Sequence, residues 1–392
     1  MKDENKVFYL LMITSFTLSV GLSAVIPIQP LFMVEVGATE LELGLIFAFS
    51  SLLGLFSRIP LGILSDKIGR WIMIIITSVI NIVSLIAYFL VNSVVWFYPI
   101  TVLDAMTWGF FAPSAISLVS DTVSPERMGS VMGLYYTSLG LGQFIGPLVC
   151  SGLTTYTTYR KTFFILTIFP IAGLLATLGW RSIDVSKKHD EVDFSKENLR
   201  VMDTFKRILR SRNVIGVGIS RMLFSLSSSI IDTIFSVWAN SELFFTSAMI
   251  SILFSVRGAT NTSIRIPIGR LVDKIGKKIP LLLAFCLAAT GFLIFSVTNN
   301  FYIILIAMAL YGLAWGIRIV PDTAILTEST DLKDRELAFA FMMTMFAMGR
   351  SIGSFVAGVT YTVLPMSIIL QMAAGVLFSA VVVLSVAIKK ED

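Results

Sequence analysis

Residues 58–70 read RIPLGILSDKIGR, and residues 265–277 read RIPIGRLVDKIGK. Arg58, Pro60, Gly62, Leu64, Asp66, Lys67, Ile68 and Gly69 recur 207 positions later as Arg265, Pro267, Gly269, Leu271, Asp273, Lys274, Ile275 and Gly276. That offset exceeds half of the 392-residue chain, so the protein consists of two copies of one ancestral unit. Each copy of the repeated phrase sits between long apolar runs, which sets what the ancestral unit could have been.

Hydrophobic residues make up 56% of the chain, charged residues 14%, and mean hydropathy is +0.85. A soluble domain carries about 25% charged residues. Six apolar stretches fall at about 7–33, 41–64, 71–92, 95–120, 128–154 and 161–182, and six more at about 213–239, 245–269, 279–298, 301–327, 336–361 and 366–388. Each can cross a hydrocarbon core of about 30 Å, which takes roughly 20 helical residues. Backbone groups in lipid are satisfied only in helices or closed barrels, and runs of this length are helices. The expected fold is an all-α membrane protein with twelve transmembrane helices in two pseudo-symmetric six-helix halves. The halves are 1–182 and 213–392, joined by a cytoplasmic linker over 183–212.

Charge orients this bundle. Most of the 30 Lys and Arg fall on one side of the predicted membrane, including Lys67, Arg70, Arg127, the 187–212 loop, Lys274, Lys277 and Lys278. Only Arg160 and Lys161 fall on the opposite face, whose loops carry Glu35, Glu40, Glu42 and Glu242. By the positive-inside rule both termini and the linker are cytoplasmic in a multi-pass protein of the cell membrane. The pI near 9.1 therefore reports topology and is no argument for nucleic-acid binding. Lys2 and Lys6 precede an apolar stretch too long for the core of a cleaved signal. In the linker, Phe205, Ile208 and Leu209 are spaced as on a short surface helix, or equally as in a solvated tether; the single histidine, His189, lies here too.

Chemistry is scarce. Cys150 and Cys286 lie inside apolar helices, where thiols pack as small hydrophobes. The sequence has no metal-ligand spacing, nucleophile elbow or phosphate-binding loop, so no cofactor, metal or catalytic residue is expected, and the chain does not read as an enzyme. The expected partners are the bilayer, a small-molecule substrate and protons, with a monomer as the working unit.

Gly62-x-Leu64-x-Asp66-Lys67-x-Gly69-Arg70 resembles motif A of the major facilitator superfamily, between its second and third helices. Gly269, Asp273, Lys274 and Gly276 match its degenerate partner between the eighth and ninth. Tyr159-Arg160-x-x-Phe163 is similar to the family's entry to the sixth helix, with Tyr for Trp. The resemblance spans the chain and implies secondary transport by alternating access about a midplane site. In the family, the motif A carboxylate latches one half against the other when the transporter opens outward. Asp66 and Asp273 are the matching positions, and each could instead merely cap its loop.

GQFIGPLVCSG around Gly142 resembles motif C on the fifth helix, found mainly in exporters that exchange drug for protons. Gly142, Gly146 and Gly152 would permit close helix approach, and Pro147 a bend. Small residues Ser251, Ser255, Ala259 and Ser263 recur every fourth position on the eighth stretch and predict a close-packing face between the halves. Ile26-Pro27-Ile28-Gln29-Pro30 is similar to the double-proline stretch of drug exporters. Two features depart from that branch. Ala105 stands where motif B places an arginine, and the first helix has no acidic residue.

Asp104, Arg221, Asp232, Arg257, Arg318, Asp322 and Arg350 all fall inside apolar stretches. A charge near the bilayer centre costs about 2.5–3.5 kcal/mol on insertion scales, so each needs a partner or a pathway. Arg318 and Asp322, four apart, can pair on one helix face. Asp322, Asp104 and Asp232 are the candidates for proton coupling. Arg257, Arg318 and Arg350, with Trp108, Phe111 and Trp315, are candidates for substrate contact; the same charges would also serve as inter-helix struts. The expected function is proton-coupled efflux of small amphipathic compounds. Alternatives are proton-coupled transport of an organic anion and, less favoured, a non-transporting sensor on the same scaffold.

Overall fold

The computed structural model describes residues 2–122, 125–179, 207–208, 210–331 and 334–388. Among them every regular element is helical. The helices are α1 (Lys2–Val25), α2 (Gln29–Glu35), α3 (Glu40–Ile68), α4 (Arg70–Leu90), α5 (Phe97–Thr122), α6 (Pro125–Tyr156), α7 (Tyr159–Leu166) and α8 (Ile168–Leu178). They continue as α9 (Arg212–Ile230), α10 (Ser236–Ser241), α11 (Ser247–Ser263), α12 (Arg265–Ile275), α13 (Lys278–Val297), α14 (Phe301–Glu328), α15 (Arg335–Tyr361) and α16 (Met366–Ala387). All twelve apolar stretches are helical, but four are interrupted. Pro27, without an N–H to donate, lies in the break between α1 and α2. The others break at Thr167, at Ile264, and at a π-helical turn over Ile231–Phe235 that joins α9 to α10.

The helix ends follow local chemistry. Thr39 and Glu42 form a reciprocal cap at the start of α3: the Thr39 amide donates to Glu42 Oε2 at 2.8 Å, and the Glu42 amide donates to Thr39 Oγ1 at 3.3 Å. Asn300 Oδ1 accepts from the amides of Tyr302 and Ile303 at the start of α14. The duplicated phrase adopts one backbone twice. Gly69 (φ +90°) separates α3 from α4, and Gly276 (φ +79°) closes α12 ahead of α13. Only glycine takes that conformation without steric cost.

The chain forms two compact units, Met1–His189 with Ser236–Ala259, and Asp190–Phe235 with Thr260–Asp392. In the first, α1 packs on α6, α8 and α4, while α5 packs on α3 and α4. In the second, α9 packs on α15 and α16, and α14 packs on α12 and α13. The two patterns are the same pattern repeated. A Cβ on Gly142 or Gly146 of α6 would come closer than 3.0 Å to Ser19 or Ser23 of α1; one on Gly349 or Gly353 of α15 would do the same to Met222 or Ser229 of α9. Serine hydroxyls stitch both seams: Ser19 Oγ donates to Leu139 O and Ser225 Oγ to Phe346 O, each at 2.7 Å. Hydroxyls spent on carbonyls remove the cost of polar groups in a lipid-bounded core.

Candidate functional site

The motif C-like glycines thus serve a seam within one unit. Gly142 and Gly146 admit α1, Pro147 lies inside α6 without interrupting it, and Gly152 meets nothing within 4 Å. The small-residue stripe of α11 packs on the other face of α6. Ser255 Oγ donates to Phe144 O at 2.7 Å, and a Cβ on Gly258 would strike Gln143 O. Ser251 Oγ donates to the buried Cys150 sulfur at 3.6 Å.

Motif A is partly visible. The backbone is helical through Gly62, Asp66 and Lys67, whose side chains lie outside the described residues. Arg70 Nη1 donates to Ser117 O at 2.8 Å, tying the start of α4 to α5. In the repeat, Asp273 and Lys274 are exposed, and a Cβ on Gly269 would meet open space. The linker helix expected over 202–212 and His189 fall largely or wholly outside the described residues.

The intramembrane charges divide into three settings. Arg350 Nη1 contacts Asp232 Oδ2 at 3.2 Å, with both side chains partly exposed. Asp232 sits in the π-helical turn, a distortion frequent at functional sites. Arg318 Nη1 contacts Asp322 Oδ2 at 2.6 Å within α14, and both side chains are only 1% exposed. The guanidinium lies over Phe224 at 4.5 Å and Trp315 at 5.1 Å from the ring centroids. Arg318 Nε and Nη2 and Asp322 Oδ1 are buried with no hydrogen-bond partner among the described residues.

Asp104 has the third setting. Ser84 Oγ donates to Oδ1, Tyr88 OH donates to Oδ2 at 2.7 Å, and Gln29 Nε2 reaches Oδ2 at 3.4 Å. Every partner is neutral. Tyr88 is wholly buried and stacked on Phe163 at 4.7 Å, so its hydroxyl is held in place. Ser84 and Tyr88 lie on one face of α4 with Thr77, Ser78 and Asn81, all buried. That stripe at helical spacing could have been read from the sequence but was masked by the apolarity of its surroundings. Gln29 belongs to the cluster because the break at Pro27 brings the start of α2 to it.

The aromatic candidates separate. Phe111 is 1% exposed in an apolar core with Leu11, Leu18, Ile74 and Tyr135. Trp108 is half-buried on the same helix. Trp315 stands perpendicular to Phe224, 5.2 Å away, beside Arg318. Arg257 belongs to the first unit and lies over the Phe254 ring, so neither unit gathers all three candidate arginines.

The family model of the Major Facilitator Superfamily matches residues 11–220 and 217–392. The chain belongs to the Major Facilitator Superfamily. It is 25% identical to an MFS-type transporter of Methanocaldococcus jannaschii, covering 97% of each chain. It is 23% identical to multidrug resistance protein 2 of Bacillus subtilis over 80% of this chain and 79% of that one. The multi-drug resistance efflux pump PmrA of Streptococcus pneumoniae is also 23% identical, covering 86% of this chain and 85% of that one. Among solved structures, a mutant of the nucleoside transporter NupG superposes with TM-score 0.84 at 15% identity (98% of this chain, 100% of that one). A POT family transporter superposes with TM-score 0.81 at 13% identity (98% and 95%). The protein is thus a multi-pass membrane transporter of the superfamily's fold and not an enzyme.

Proposed function

We propose that this transporter exports small amphipathic compounds in exchange for protons, acting as a monomer in the cell membrane with both termini in the cytoplasm. Multidrug-resistance relatives support the direction and substrate class, and the Lys and Arg bias supports the topology. The observation that carries proton coupling is the neutrality of every Asp104 partner. Asp322 and Asp232 each have an arginine as counter-charge. Asp104 has none among the described residues, so a proton from solution is what neutralises it when the site closes.

The test is efflux of a lipophilic cationic dye from cells with and without the protein, with and without an uncoupler. Export that the uncoupler abolishes is the expected result, and unaltered export under uncoupler overturns proton coupling. In proteoliposomes, Asp104→Asn is expected to lose transport driven by a pH gradient yet keep substrate exchange. If Asp322→Asn shows that pattern instead, coupling belongs to the second unit. Carriage of an organic anion is the second reading, favoured by the open guanidinium edge of Arg318.

A further inference from the structure

An arginine paired with a carboxylate frequently turns its fork toward it and makes two parallel hydrogen bonds. Arg318 does not. It gives Asp322 a single bond through Nη1 and leaves Nε and Nη2 buried without partners. Those two nitrogens form the side-on edge of the guanidinium, whose paired N–H groups match the two oxygens of a carboxylate. Phe224 and Trp315 lie against its face, so a ligand group reaches Arg318 in the plane of the fork. Asp322 Oδ1 is also open and can accept from a donor beside that group.

We propose that Arg318 and Asp322 form a recognition site for the carboxylate of an apolar or aromatic organic acid. The Arg318 edge grips the two oxygens, the Phe224 and Trp315 rings contact the apolar body, and Asp322 accepts from a neighbouring hydroxyl or amine. Charge balance supports this choice. Arg221, stacked over Phe346, exerts its charge on Asp322, so the two arginines and one aspartate carry a net single positive charge. One carboxylate cancels it, whereas a phosphate dianion overshoots. The other ion pair of this unit, Arg350 with Asp232, is partly open to water and offers no comparable dry edge. The proposal rests on the second reading above, carriage of an organic anion, and names a carboxylate as the group by which that anion is recognised. The edge is closed to solvent in this conformation, so ligand entry requires the surrounding rings to move.

The experiment is equilibrium binding of 2-naphthoate to the purified full-length protein in detergent, compared with 2-naphthamide and methyl 2-naphthoate. The acid is expected to bind at least tenfold more tightly than either neutral analogue. Arg318→Lys, which keeps the charge but loses the fork, is expected to erase that preference, while Arg270→Lys, at an exposed position, retains it. Equal binding of acid and ester overturns the proposal, as does a preference that survives Arg318→Lys. Should Arg318→Lys fail to fold, photolabelling of the unaltered protein with 4-benzoylbenzoate decides: labelling within 301–328 is expected, and labelling confined elsewhere overturns it. Laurate serves as a competing arm. Binding of laurate without naphthoate keeps the carboxylate site and assigns its source to membrane fatty acid. These measurements need no transport, so they stand or fall on the carboxylate site alone, while the dye and uncoupler experiment tests proton-driven export separately.

Discussion

Asp104 and Asp322 are the same residue type and both lie inside apolar segments, yet their neighbours give them different chemistry. Asp322 is balanced by an arginine four residues away on its own helix. Asp104 is balanced by dipoles gathered from two other helices, with Tyr88 at the centre. Tyr88→Phe keeps the stack on Phe163 and removes one hydroxyl from the cluster. It is expected to destabilise the protein by about 1–3 kcal/mol, because Gln29 and Asp104 each lose a buried partner, read from thermal unfolding in detergent. It should also slow transport driven by a pH gradient more than substrate exchange, assayed in the same vesicles. The residue identities were legible in the sequence, and so was the Arg318–Asp322 pair, because i,i+4 spacing is a local property. The company of Asp104 was not, because Gln29, Ser84 and Tyr88 come from remote positions on two other helices.

At the scale of elements, the glycines divide into those that admit a neighbour and those that do not. Gly146 faces α1 with no room for a Cβ, whereas Gly152 of the same motif C-like run faces open space. Gly146→Val is therefore expected to cost about 1–3 kcal/mol by overpacking, and Gly152→Val to stay close to the parent protein, in a comparison of melting temperatures. Gly69 and Gly276 are a different case. Gly69 has nothing within 4 Å, so Gly69→Ala tests backbone conformation alone. A non-glycine residue held at φ +90° costs about 1–3 kcal/mol, and the same loss is expected for Gly276→Ala, since the duplicated phrase imposes the same turn. The expectation that α11's small residues mark a close-packing face was met against α6. Motif C instead turned its first two glycines to α1, a choice of face that spacing alone leaves open.

For the whole molecule, alternating access requires the two duplicated halves to move, and motif A is the segment the family resemblance assigns to controlling that motion. Asp66→Asn is expected to slow dye export several-fold while folded protein stays in the membrane; unchanged turnover at equal protein level removes the latch. Asp273→Asn is expected to change export little, because Asp273 is exposed and makes no hydrogen bond or ion pair among the described residues. Duplication, helix count and superfamily were all readable from the chain. Lipid admits so few backbone solutions that apolar length and repeat spacing suffice to specify them. Among the described residues, the packing decided which carboxylate lacks a counter-charge, which glycines are filled by a neighbour, and which guanidinium edge stays unpaired. Those properties depend on which helix faces meet, and helices far apart in sequence leave no local trace of their meeting.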